Sequence, residues 1–111
     1  MTKTEEKIAK YVENAKELGL GLSEDLIEKV TKGLGPSIHN KDAETVSCSD
    51  KSELERVKKN FLEKKLGLSG DNLMEAVEEV CQKMGSSNRN KYRALFYALL
   101  VKKFSKESVY A

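Results

Sequence analysis

Asn90-Lys91-Tyr92-Arg93-Ala94-Leu95-Phe96-Tyr97-Ala98-Leu99-Leu100-Val101-Lys102-Lys103-Phe104 is the stretch whose reading decides the fold. Its middle, Ala94 to Val101, is the longest apolar run in the chain, and the stretch holds two of the three phenylalanines. At about 100° per residue, Tyr92, Leu95, Phe96 and Leu99 share one face of a helix, while Ala94, Tyr97, Ala98 and Val101 cover the other. A helix that is apolar all round has to be buried all round. Asn90–Phe104 is therefore predicted as a central helix that other helices wrap. A buried strand is the rival reading of so short a run. The flanking length and the Ala/Leu/Lys composition favour helix.

Upstream, the segments that could wrap it succeed one another with helical spacing. Thr2 to Glu5 reads as a capping box, and Ile8, Tyr11, Val12, Ala15 and Leu18 form a stripe that ends at Gly19 and Gly21. Ser23 caps a second helix with Leu26, Ile27 and Val30 inward, stopped at Gly33 and Pro36. Residues 33–49 show no sustained period and read as a long loop. Ser49, Asp50 or Ser52 opens a third helix striped by Leu54, Val57, Phe61 and Leu62 and ended by Gly67. Lys58 and Lys65 fall in its apolar arc, which puts it near the rim, with the lysine stems lying along the core. Ser69 or Asp71 opens a fourth, with Leu73, Met74, Val77, Val80, Cys81 and Met84 inward up to Gly85. Residues 105–111 form a short tail. The expectation is an all-α, compact five-helix domain around a buried C-terminal helix, spanning residues 1–111. A slide by 50 positions aligns Glu28, Val30, Gly35, Ser37, Asn40 and Lys41 with Glu78, Val80, Gly85, Ser87, Asn90 and Lys91, a faint sign of two related helical hairpins.

Composition narrows the class. With 39% hydrophobic and 34% charged residues, the chain is globular rather than disordered. Eight apolar residues are too few to span a bilayer, and the first ten residues carry neither the apolar core nor the cleavage pattern of a signal peptide. No membrane association is expected. Cys48 and Cys81 have no close-spaced partners, which argues against a disulfide scaffold or a zinc site. They are expected to be reduced, in a cytoplasmic setting. No metal or cofactor is expected.

The strings GLGPSIHNKDAETVSCSD, VKKNFLEKKLGL and VCQKMGSSNRNKYRALFYALLVKKF cover much of the chain. They resemble a small bacterial family of about this length, described only as a domain of unknown function. That resemblance implies a bacterial, cytoplasmic, mainly helical protein. It implies no activity, ligand or catalytic residue.

Charge is uneven along the chain. Residues 1–50 carry a balance of −3 and residues 51–111 a balance of +5. The sharpest local feature is the entry to the central helix. Unpaired N–H groups give a helix start about half a positive charge, so cations there are unfavourable. Arg89, Lys91 and Arg93 nevertheless sit there with no acid among them. One reading is an anion site, with Ser87 and backbone N–H groups facing a phosphate or carboxylate and Arg89, Lys91 and Arg93 around it. The other is that acids from elsewhere in the fold neutralise the cluster. Val30 to Pro36 resembles the hairpin of helix-hairpin-helix DNA-binding modules, but His39, Asn40, Lys41 and Asp42 stand where apolar residues are needed, and a helix stop explains the same letters. Cys48 precedes a helix, yet Asp50 and Glu53 disfavour a thiolate. His39, the single histidine, has no marked acid or nucleophile near it in sequence. Catalysis is the weakest class. The leading expectation is a non-enzymatic module acting through a protein partner. The alternative is a binder of anions or nucleic-acid phosphate at Ser87 and Arg89 to Arg93.

Overall fold

The computed structural model describes residues 3–40, 44–70, 72–85 and 91–110. Among these, five α-helices occur in order: α1 (Lys3–Leu18), α2 (Glu24–Leu34), α3 (Lys51–Arg56), α4 (Leu73–Met84) and α5 (Arg93–Lys103). A 3-10 turn spans Gly35–His39, a second spans Glu107–Tyr110, and α3 runs on without a break as a π-helix, Val57–Glu63. The described residues contain no strand, only an isolated antiparallel bridge between Thr45 and Tyr92. The protein is an all-α five-helix domain.

The apolar run forms the central helix that its composition predicts. Every residue from Ala94 to Val101 is buried, on both faces of α5. The helix packs against α2 and α4 and touches α1. Each large apolar side chain removed from water in this way contributes about 1.5–3 kcal/mol before entropy is counted. Around α5 the other helices turn inward the residues their periods nominate. These include Tyr11 and Ala15 from α1, Leu26, Ile27 and Val30 from α2, and Leu73, Val77, Val80 and Met84 from α4.

Helix ends obey local chemistry. Gly19, at φ 65°, closes α1, and the Leu20 amide reaches back to the Ala15 carbonyl at 3.1 Å. Ser23 caps α2 by accepting from the Leu26 amide at 3.2 Å. Contrary to the expected stop at Gly33, α2 continues to Leu34. It is Gly35 that adopts a positive φ there, at 65°. Gly33 serves packing: a Cβ at that position would lie 3.2 Å from the Tyr110 ring. The aligned Gly85 also ends its helix at positive φ, so the two halves of the faint repeat stop alike. Asp50 caps α3 by accepting from the Ser52 and Glu53 amides. The residue at the start of α4 is Asn72, which makes no side-chain cap; of the expected openers, Ser69 lies further upstream and Asp71 is outside the described residues. Thr2 of the expected capping box is outside them as well.

In the π segment the hydrogen bonds step back five residues, from the Lys64 amide to Lys59 and from the Leu66 amide to Phe61. The widened turn lets the consecutive Phe61 and Leu62 both face the core. The described part of the connection before α3 is packed against the core: Ile38 and Val46 are buried within it.

The cysteines require a correction. Expected as separate reduced thiols, Cys48 and Cys81 form a disulfide, with Cα atoms 6.0 Å apart. They are 33 positions apart in sequence and are brought together by the packing of α3 against α4. A tertiary contact of that kind leaves no spacing pattern to read. With the bond formed, the cysteines no longer point to a reducing cytoplasm. Among the described residues no helix is long and apolar enough to cross a membrane.

Candidate functional site

The basic start of α5 is only partly described. Ser87 and Arg89 lie outside the described residues; Lys91 and Arg93 are within them. Lys91 is buried, and its carbonyl accepts from the Val46 amide at 2.8 Å. Arg93 is drawn into the fold. It donates to Glu53 of α3, to the Tyr97 hydroxyl at 2.9 Å and to the Thr45 carbonyl at 3.4 Å. Burial opposes the guanidinium charge, but Tyr97 and Glu53 outweigh it and hold its pKa above the ordinary arginine value. Glu53 also takes an ion pair from Arg56 at 3.1 Å. Phe61 stacks on Tyr97 at 3.9 Å between centroids and completes the enclosure. The cation that sequence placed at an unfavourable helix end therefore has its acid 40 positions upstream.

A second polar cluster had no sequence signal. Glu44, in the connection before α3, is buried, and its carboxylate accepts from Tyr11 at 2.6 Å and Lys7 at 2.7 Å, with Lys10 at 3.6 Å. Desolvation favours the neutral acid. The hydrogen bonds from Lys7 and Tyr11, with the charges of Lys10 and Lys7, win and lower the Glu44 pKa. Tyr11, fully buried, is pushed well above the ordinary phenol range by its burial and by Glu44. Lys10 also lies 4.7 Å above the Tyr92 ring, and Tyr92 packs on Tyr11 at 4.9 Å. Together these groups tie the connection to α1.

His39 stands with Thr4, Thr31, Lys32 and Gly35 around a shallow depression. After α2 comes a five-residue 3-10 turn, Gly35–His39, and Gly35 with its positive φ ends the helix; residues 41–43, which follow, lie outside the described residues. Among the described residues no three His, Cys, Asp or Glu side chains gather closely enough to hold a metal ion.

An open concavity of about 570 Å³ runs between α1 and α2. Ile8, Ala9 and Val12 form its floor. Glu5, Glu13, Glu24 and Glu28 rim it together with one ammonium, Lys16, which sits 3.4 Å from Glu24. One hint of it lies in the sequence, the −3 balance of residues 1–50. Ile8 and Val12, expected on the inward stripe of α1, instead stay only partly covered, and nothing in the sequence said that α2 would place two more acids across from them.

The fold and its charge pairs define a small all-α domain of five helices with a covalent tie between the α3 entry and α4. Residues 10–108 match the family model described as a protein of unknown function, DUF2853, and the chain belongs to that family. A search of curated proteins finds no match.

Proposed function

We propose that this domain is a non-enzymatic protein-interaction module that receives a basic amphipathic helix in the cleft between α1 and α2. The observation that carries the reading is the cleft's composition: an aliphatic floor with four carboxylates and one ammonium at its edge. Such a surface offers apolar burial for affinity and an excess of negative charge for choice of partner, with Glu24 and Glu28 already paired to Lys16 and Lys32. From Glu5 to Lys16 the α1 wall is about 16 Å long, the rise of about three helical turns. A partner helix with aliphatic residues at i, i+3 and i+4 and lysines or arginines beside them matches both length and charge.

Binding of phosphate or nucleic acid at Ser87, Arg89, Lys91 and Arg93 draws less support, because Arg93 is already engaged by Glu53 and Thr45. The experiment is calorimetric titration of the full chain with a synthetic helical peptide carrying that aliphatic face flanked by lysines. A second peptide keeps the face and replaces lysine by glutamate. The lysine peptide is expected to bind with an affinity that falls as salt rises, and the glutamate peptide to bind at least tenfold more weakly. Equal binding of the two, or binding of neither, would overturn the reading.

A further inference from the structure

Residues 44–50 form a strap between the first 3-10 turn and α3, and the strap is held at three kinds of point. Its backbone bridges to α5 through Thr45 and Tyr92, with the Val46 amide on the Lys91 carbonyl at 2.8 Å. Its carboxylate, Glu44, grips Lys7 and Tyr11 of α1. Its far end is fixed to α4 by the Cys48–Cys81 disulfide. Both cysteines are only partly buried and pack against the edge of the core.

We infer that Cys48–Cys81 is a reversible thiol–disulfide site that sets how firmly the strap is docked and, through Glu44, how the α1 wall of the cleft is held. The second half rests on the docking reading above. In the reaction, one thiolate of a dithiol reductant attacks a sulfur of the pair and forms a mixed disulfide. The reductant's second thiolate then displaces it. Two electrons and two protons end on Cys48 and Cys81 as free thiols, and the reductant leaves as its own disulfide. Reduction removes the covalent end of the strap and leaves the bridge and Glu44 to hold it. The loosening should be largest at the strap, over and above the general loss of stability that follows from opening the cross-link.

The test uses the full chain, oxidised and treated with dithiothreitol, together with a Cys48→Ser, Cys81→Ser double variant. Alkylation and mass measurement count the thiols, and amide hydrogen exchange tracks Val46. The expected result is two alkylated thiols per folded reduced chain and Val46 exchange at least tenfold faster than in the oxidised chain. The double variant should match the reduced form and ignore the reductant. A bond that resists dithiothreitol until the chain unfolds, or Val46 protection that is the same in both forms, would overturn the site. The lysine peptide then reads the cleft. An affinity at least threefold different between the oxidised and reduced chains supports the coupling. Equal affinity, with Val46 exchange altered, refutes the coupling and leaves the docking reading intact. Binding to neither form refutes the docking reading and leaves the redox site standing on the exchange result.

Discussion

Arg93 at the start of α5 donates to Glu53 in the first turn of α3, and both side chains are mostly shielded, at 14% and 12% exposure. This pair explains how a helix can begin with basic residues. The acid that belongs at its positive end arrives from another helix. Removing the cation leaves a shielded carboxylate with Arg56 alone, and deprives the Tyr97 hydroxyl and the Thr45 carbonyl of a donor. Arg93→Gln should therefore destabilise the chain by about 2 kcal/mol. Millimolar phosphate at matched ionic strength should leave the melting midpoints of both proteins unchanged. A variant as stable as wild type, or a phosphate-dependent rise that the substitution abolishes, would restore the anion reading.

Glu44 supplies a pH dependence with a defined sign. Its folded-state pKa is lowered, so its contribution is fully present above the ordinary carboxylate value, about 4.3, and is lost as pH falls through and below that value. Between pH 7 and pH 5 the Glu44 contribution should be flat, and below that it should decline. Glu44→Gln should lower stability at pH 7 by about 1–2 kcal/mol and make the acid-side fall shallower. Urea titrations of the two proteins at several pH values measure this, and parallel curves would refute the assignment.

The disulfide closes a long loop, its ends separated by 33 in sequence. In the chain-entropy limit such a cross-link is worth about 3–4 kcal/mol. Cys48→Ser with Cys81→Ser should lose most of that in equilibrium unfolding. A loss under about 1 kcal/mol would mean that the oxidised strap gains little from its covalent end.

Legibility in the sequence depended on the range of each signal. Ala94 to Val101 is a continuous apolar run, and any fold able to hide such a helix must surround it, so the centre of the domain was readable from composition alone. The wrapping helices announce themselves by period, and Ser23, Asp50 and Gly19 by local hydrogen-bond and φ requirements. The Cys48–Cys81 bond, Glu44 on Tyr11 and Arg93 on Glu53 are long-range pairings, and no local pattern encodes which loop acid meets which helix. The π turn after Arg56 was hidden for a related reason. Phe61 and Leu62 look like one residue too many on an α stripe, and only packing decides that the helix widens to bury both.

The central position of α5 has its own test. Leu99, nearly fully buried, replaced by aspartate places an unpaired charge in the core at a cost of several kcal/mol. Leu99→Asp should leave no cooperative melt by circular dichroism. A folded, wild-type-like variant would mean that α5 is not where the core is.

The α1/α2 cleft carries the functional reading, and Ala9 probes it at its floor. Ala9 is exposed there, on a helix that tolerates arginine well. Ala9→Arg should fill the floor and neutralise part of the acidic rim while leaving the melting midpoint within about a degree or two, as surface changes do. The measurement is the affinity of the lysine-flanked helical peptide for wild type and for Ala9→Arg at low salt. A loss of at least tenfold is expected. Undiminished binding by a normally folded Ala9→Arg chain would contradict a docking role for the cleft.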